Sequence, residues 1–149
     1  MITDFDGEAG APEPVDGPGG PVLTRDDTWC IWLDSYGMRR YWASVVDETL
    51  VVRDPTDAGG DEVLDWSVTL VEDESGEQFA VDHNTLLTAM QRMVSERDTI
   101  QVAESIVDDV AAVLDSTDHD SATDELAQLD AIGTDVIIQI ATLGNVIYG

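Results

Sequence analysis

The sequence has no lysine, and its six arginines face 32 acidic residues, which leaves a formal net charge of -26 at pH 7. Without lysine, neither a phosphate-binding P-loop nor a Schiff-base mechanism is available to the chain. So negative a surface also repels nucleic-acid phosphates and anionic lipid headgroups. We therefore expect no direct binding to nucleic acid and no association with a membrane.

Cysteine and histidine are nearly absent. The single cysteine, Cys30, excludes an intramolecular disulfide, and its neighbours Trp29 and Ile31 indicate a small core residue rather than a nucleophile. The two histidines fit no zinc-binding spacing. We expect His83 in the first turn of a helix and His119 in a solvated loop, and neither as a metal ligand.

The acidic loops do not have the spacing of a calcium site. An EF-hand frame counted from Asp115 puts Asp120 where glycine belongs and Leu126 where the bidentate glutamate must lie. The frame counted from Asp54 leaves Ala58 at a ligand position. The carboxylates are also too many to indicate one general acid and base pair. The sequence thus predicts no metal, no cofactor and no enzymatic activity.

Long uninterrupted apolar runs are missing as well. The most apolar stretch, Ala131 to Tyr148, is interrupted by Asp135, Gln139 and Asn145, which argues against a lipid-exposed helix. The first residues, Met1 to Glu8, are acidic and lack the basic and apolar segments of a secretory signal. We expect a cytoplasmic protein.

The composition of the chain changes at about residue 27. Residues 1–27 are rich in proline, glycine and acidic side chains and have few large apolar ones, which predicts a flexible acidic N-terminal tail. Residues 28–149 are predicted to form a single α+β domain. Its sheet is expected within residues 28–82 and its helices within residues 83–144.

The sheet is predicted from apolar residues at every second position. Trp29, Ile31 and Leu33 alternate in this way, and so do Leu64, Trp66, Val68 and Leu70 within a strand predicted over residues 63–71. Other strands are predicted over residues 40–46, 50–52 and 78–81. Proline and glycine in residues 54–60 predict a loop. The expected result is a small antiparallel sheet of about four or five short strands.

Beyond Val81 the apolar spacing lengthens to three and four, which predicts three helices packed on one face of the sheet. The first follows a cap at Asp82 or Asn84, and the second runs from about Thr99 to Leu114. The third runs from Ser121 to Leu143 and ends at Gly144. The expected core residues are Trp29, Ile31, Trp66, Val68, Leu86, Met90, Ile106, Val110, Leu129, Val136 and Ile140.

The third predicted helix, residues 121–143, has apolar residues on two sides, because Ala127, Ala131 and Ile138 lie opposite its main apolar face. Two interpretations remain open. The helix is either covered on both sides within one domain, or it forms the contact of a homodimer. The final apolar residues, Val146 and Tyr148, are expected to pack onto the body.

The excess negative charge has two explanations. The first is adaptation to molar salt, where the Debye length falls to about 3 Å and self-repulsion is screened. The second is mimicry of DNA, in which carboxylates imitate phosphates and occupy the basic groove of a nucleic-acid-binding protein. A strip that would serve either mimicry or another interaction consists of Asp108, Asp109, Asp115, Asp118, Asp120, Asp124 and Glu125.

The C-terminal sequence resembles the ending of small uncharacterised acidic proteins carried by phages, plasmids and chromosomes of high-GC or salt-loving prokaryotes. The resemblance covers about the last twenty residues: Leu129-Asp130-Ala131, Asp135-Val136-Ile137-Ile138-Gln139 and Leu143-Gly144-Asn145-Val146-Ile147-Tyr148-Gly149. It implies origin on a mobile element or virus, and it brings no known activity or binding residues.

Charge, fold and resemblance together predict a non-enzymatic acidic module that binds another protein, with the charge mainly an adaptation to high salt. One alternative is a DNA mimic that inhibits a partner with a basic surface. The other alternative is an accessory structural component of a virus particle.

Overall fold

The computed structural model describes residues 23–54 and 62–148. Within these ranges the chain is α+β, as the sequence predicted, with a three-stranded antiparallel sheet and six helices. The elements in chain order are α1 (Arg25–Asp34), α2 (Tyr36–Arg39), β1 (Ala43–Val52), β2 (Val63–Glu72), β3 (Gln78–Asp82), α3 (His83–Ser95), α4 (Glu104–Asp115), α5 (His119–Leu126) and α6 (Ala131–Leu143).

The first predicted strand is wrong, because its residues form helix α1. Thr24 caps the helix: its hydroxyl accepts from the Asp27 amide, and the Asp27 carboxylate accepts from the Thr24 amide. The alternation of apolar residues concealed a helical spacing, since Leu33 is exposed on α1 and Cys30, expected in the core, is exposed too. The buried positions have helical spacing instead: Thr28, Ile31, Trp32 and Ser35.

The folded body begins earlier than the predicted domain boundary. Leu23 is 4% exposed and α1 begins at Arg25, so residues 23–27 belong to the body rather than to a flexible tail. The rest of the predicted tail, residues 1–22, lies outside the described residues. The loop predicted over residues 54–60 lies there too, apart from Asp54.

Among the described residues the sheet has three strands in the order β1-β2-β3, fewer than the four or five predicted. The segments predicted as separate strands over residues 40–46 and 50–52 form the single strand β1, except that residues 40–42 form a turn before it. A bulge at Val46 separates the pairs Val45↔Leu70 and Asp47↔Thr69, so the strand continues through its acidic middle.

Strand β2 was predicted almost to the residue. Trp66, Val68 and Leu70 are buried on the helix side of the sheet, as expected from their alternation. Leu64 is exposed instead of buried, because the register shifts between the pairs Val51↔Asp65 and Val52↔Val63. Because of this irregularity, Val63 rather than Leu64 is buried in the core.

The helical half has four helices rather than three. Asp82 caps α3 as predicted, whereas α4 begins at Glu104, five residues later than expected. The helix predicted over residues 121–143 is two helices, α5 and α6, bent by 105° at their junction. The cause is a second N-cap, because the Asp130 carboxylate accepts from the Gly133 amide and starts α6 anew.

Helix α6 is the centre of the core. Gly133 through Ile140 are buried on every side, which supports the interpretation of a central helix within one domain. All expected core residues are buried except Trp29 and Ile106, which are half-buried. Gly144 ends α6 with φ 81°, and both Val146 and Tyr148 pack onto the core as predicted. The predicted homodimer stays a prediction; it would have to use α5 or the ends of α6.

Candidate functional site

The acidic residues that the sequence indicated as a site lie on two helices that pack against each other. Asp108 and Asp115 are two turns apart on one exposed face of α4. Asp109 and Glu125 are half-buried, and the others are exposed. In chain order the strip occupies α4, the N-cap of α5 and α5 itself: Asp108, Asp109, Asp115, Asp118, Asp120, Asp124 and Glu125.

Part of this acidic strip is engaged in local structure. Asp108 Oδ1 lies 2.7 Å from an Arg97 guanidinium nitrogen, which also contacts Glu104 at 3.0 Å. The Asp118 carboxylate caps α5 by accepting from the Ser121 amide, and this bond lowers the pKa of Asp118. These contacts explain two of the seven residues as structural, and they leave the exposed faces of α4 and α5 as solvated acidic surface.

His119 has a different position from the one expected. It is the first residue of α5 rather than a loop residue, and its Nε2 lies 2.8 Å from an Asp27 carboxylate oxygen. The contact joins the start of α5 to the first turn of α1, at the carboxylate that completes the α1 capping box. His83 begins α3 as predicted and is buried, with its Nδ1 3.0 Å from the Thr28 hydroxyl.

Strand β1 exposes an unusual amount of apolar surface. Within the described ranges it pairs with β2 on one side only, and nine of its ten residues are exposed. Val45 and Leu50 pair with Leu70 and Trp66, so they lie on the helix side of the sheet, yet they are 42% and 44% exposed. An edge strand this long, with apolar side chains and no lysine or proline, is a template for pairing with another chain.

A groove continues this edge toward the first two helices. It lies between α1, α2 and β1 and encloses about 560 Å³. Leu33 and Tyr36 form part of its helical wall and are 50% and 60% exposed, while Val45 belongs to its strand wall. These three residues place exposed apolar side chains on both sides of one concave surface.

The sign of the charge differs between the middle of β1 and the α2 end of the groove. Asp47 and Glu48 lie in the middle of β1, on opposite faces of the sheet. At the α2 end, the Arg39 guanidinium is buried against the Trp32 ring at 3.7 Å, and Arg40 lies 4.5 Å from the Tyr41 ring. The strand is therefore negative at its centre, and the α2 end carries guanidinium groups held on aromatic rings.

A buried polar network lies on the other side of α2. The Trp42 indole N–H donates to Asp135 Oδ1 at 2.9 Å, and the Gln139 amide donates to Asp135 Oδ2 at 2.8 Å. Burial raises the pKa of Asp135, although these two hydrogen bonds and the charge of Arg39 oppose the shift. Burial lowers the pKa of Arg39, and the negative charge of Asp135 opposes this shift by raising it.

The C-terminal residues close over this network. Trp42 and Tyr148 stack with ring centroids 5.5 Å apart, and the Tyr148 hydroxyl donates to the Glu72 carboxylate. That hydrogen bond raises the pKa of Tyr148 to about 12, so the phenol remains a donor at neutral pH. A hydrogen bond from Ser75 and the one from Tyr148 together lower the pKa of Glu72. The network is suited to holding the C-terminal segment rather than to moving protons.

Reactive chemistry has little support in the described residues. Although Cys30 is exposed as a residue, partial desolvation of its thiol and the nearby acidic residues raise the pKa of that thiol, which disfavours the nucleophilic thiolate. Within residues 23–54 and 62–148, no group of three or more His, Cys, Asp or Glu side chains has the arrangement of a metal site. No single helix in these ranges is long and apolar enough to span a membrane; α5 and α6 pass that test only as a bent pair.

Comparisons with family models, with curated proteins and with solved structures gave no match. The geometry of the chain itself must therefore indicate a function. Two surfaces are distinctive: the β1 edge with its groove, and the region where the Trp42 and Tyr148 rings pack beside the buried Asp135. Neither was predicted from the sequence. The signal for the second was Asp135 itself, a carboxylate within the most apolar stretch; the first had no signal, because strand order depends on long-range pairing.

Proposed function

We propose that the protein is a non-enzymatic acidic interaction module that binds an extended segment of a partner protein along the edge of β1 that faces away from β2. The observation that carries this proposal is the exposure of nine of the ten β1 residues, on a strand that pairs only with β2 among the described elements. An added strand would satisfy the backbone groups of this edge, and the groove would receive its apolar side chains.

The acidic residues of β1 favour a basic partner segment over a second copy of this chain. A second copy paired antiparallel about the centre of β1 would bring Asp47 and Glu48 close to the same residues of its neighbour, between molecules that each carry -26. A partner segment with basic residues at its centre gains attraction at the same place. At the α2 end, where Arg40 is exposed, the segment needs apolar or acidic residues instead.

The remaining charge is best explained as adaptation to high salt. Exposed acidic residues occur on α1, β1, the β2–β3 turn, α4 and α5, whereas α3 has none and the one on α6, Asp135, is buried. A shell that is acidic on most outer elements keeps the protein hydrated in concentrated salt without marking one binding face. Origin on a mobile element or virus rests on the C-terminal resemblance.

Binding of a designed peptide tests the proposal. The probe is a synthetic peptide of about ten residues that alternates valine and arginine at its centre and has valine at both ends. The control peptide has equal charge and a central Pro-Pro that prevents strand pairing. We expect the alternating peptide to bind at least about tenfold more tightly than the control, because backbone pairing adds to charge attraction. Equal affinities would show charge attraction alone and would contradict the proposal.

A matched pair of protein variants locates the binding site. Leu50→Lys adds a positive charge on β1, and Ile132→Lys makes the same change at an exposed aliphatic residue on α6. We expect Leu50→Lys to lower the affinity for the alternating peptide at least about tenfold, and Ile132→Lys to lower it by less than about threefold. Binding centred on α4 and α5 instead, insensitive to Leu50→Lys, would favour the DNA-mimic alternative.

A further inference from the structure

A second cavity, on the other side of α2 from the groove, has a lining unlike the rest of the surface. It encloses about 340 Å³ between the end of α2, the start of α6 and the C-terminal segment. Three of its six residues are aromatic, one is acidic, and it contains no basic side chain: Met38, Tyr41, Trp42, Asp135, Ile147 and Tyr148. It is at the small end of the volume range of ligand cavities.

The deep end of the cavity holds a carboxylate with spare acceptor capacity. Asp135 is 5% exposed and accepts one hydrogen bond at each oxygen, from Trp42 and from Gln139. A carboxylate has about four acceptor positions, so two remain. Among the described residues, no basic nitrogen forms an ion pair with Asp135, although Arg39 is close enough to favour its charged form.

The walls present aromatic rings. Trp42 is buried and stacks almost parallel on Tyr148, while Tyr41 and Ile147 are exposed at the mouth. The Tyr41 ring already attracts a cation, because the Arg40 guanidinium lies 4.5 Å from its centroid. Aromatic walls above a buried carboxylate favour a cation with apolar surface over a hydrated metal ion, which needs several oxygen ligands.

We propose that this cavity binds a small alkylated ammonium ion, with the cationic group between the Tyr41 and Trp42 rings and above Asp135. The net charge of the protein concentrates cations at its surface, and the aromatic rings then select those with methyl groups. This cavity shares no lining residue with the β1 groove, so a test of cation binding here does not depend on the proposed binding of a partner segment.

Choline and its neutral isostere, 3,3-dimethyl-1-butanol, are the probes. Each is titrated at constant ionic strength into the full chain, and the indole N–H signal of Trp42, which reports the hydrogen bond to Asp135, is followed by NMR. We expect choline to shift this signal in a saturable manner and to bind at least about tenfold more tightly than the neutral isostere. Equal binding of the two would overturn the proposal, and so would shifts spread over the acidic surface.

Two tyrosine variants separate the cavity from general effects. Tyr41→Ala removes a ring at the mouth, and Tyr36→Ala removes a similarly exposed ring that does not line this cavity. We expect Tyr41→Ala to lower the affinity for choline at least about fivefold. Tyr41→Phe should retain the affinity, and Tyr36→Ala should change it little. Equal affinities for Tyr41→Ala and Tyr36→Ala would contradict the site. Because Tyr41 is exposed, its replacement leaves the fold intact, so this comparison does not depend on altering the buried Asp135.

Discussion

Gln139 is the residue on which the C-terminal segment depends most. Its Nε2 donates to Asp135 Oδ2 and to the Tyr148 carbonyl, and its Oε1 accepts from the Ile147 and Tyr148 amides. All four bonds are 2.8 or 2.9 Å long, and the side chain is fully buried. One amide thus satisfies the backbone of a segment that has no helix or strand to do so.

Replacing Gln139→Leu keeps the volume of the side chain and removes these four hydrogen bonds. We expect a loss of about 2 to 4 kcal/mol in the free energy of unfolding, because backbone groups of residues 147 and 148 lose their partners. Urea unfolding followed by circular dichroism measures this loss. Thr142→Val on the same helix removes the hydroxyl bond to the Ile138 carbonyl and should cost less than about 1.5 kcal/mol. A similar cost for both variants would mean that Gln139 does not hold the segment.

Asp135 makes stability depend on pH in a predictable direction. Its pKa is raised in the fold, so the folded chain binds its proton more tightly than the unfolded chain does. This contribution favours folding at low pH and is lost as pH rises through the raised pKa. We expect the stability of Asp135→Asn relative to the natural chain to increase as pH rises from about 4, the ordinary pKa of an aspartate, toward neutral pH, as measured by urea unfolding. A difference that is constant or declines over this range would contradict the burial of an ionisable group here.

At the scale of elements, the sequence correctly predicted those helices and strands for which the capping residues and the spacing of apolar residues indicate the same structure. Helix α3 follows the Asp82 cap, and Leu86, Leu87, Met90 and Met93 are buried as their spacing indicates. Helix α1 was missed because Trp29, Ile31 and Leu33 mimic a strand, while the Thr24 capping box that favours a helix lay within the predicted tail. Local patterns that conflict are decided by tertiary packing, which a single sequence does not reveal.

The junction of α5 and α6 gives an element-scale prediction. Asp130→Ala removes the carboxylate that caps the Gly133 amide and should destabilise the protein by about 0.5 to 2 kcal/mol. Asp124→Ala makes the same substitution within α5, at an exposed carboxylate that caps no helix, and should change stability by less than about 0.5 kcal/mol. Thermal unfolding of both variants measures the difference. Equal stability of the two would indicate that α5 and α6 form one continuous helix, as the sequence first suggested.

The candidate sites were less predictable than the elements, for a physical reason. The β1 edge exists because residues 43–52 pair with β2 alone among the strands that the structure describes, and the cavity exists because α2, α6 and the C-terminal segment meet. Both depend on contacts between residues far apart in the chain. The acidic strip was found because charge is visible in the sequence, whereas exposure and concavity are not.

At the scale of the whole molecule, charge controls stability and encounter. With a net charge of -26, carboxylates on neighbouring elements repel one another at low salt. Among the described residues, Arg25, Arg53, Arg92 and Arg97 form ion pairs with acidic side chains, and these compensate only a small part of the repulsion. The folded chain should therefore be more stable in concentrated salt.

Salt titration tests this directly. Raising KCl from about 0.1 M to about 1 M shortens the Debye length from about 10 Å to about 3 Å, and we expect the free energy of unfolding to rise by at least about 1 kcal/mol. Sucrose at equal osmolality is the control, because it adds no ionic strength and carries no ammonium group. An equal effect of sucrose, or no effect of KCl, would show that self-repulsion does not limit stability and would remove the explanation of the charge by high salt.

Hydrogen exchange in β1 tests the central claim, that this edge receives a partner strand. Amide exchange rates are measured by NMR for the free protein and for its complex with the alternating valine and arginine peptide. We predict that the β1 amides facing away from β2 exchange at least about tenfold more slowly in the complex, while amides of α4 and α5 are unchanged. Unchanged exchange throughout β1 under saturating peptide would contradict the claim.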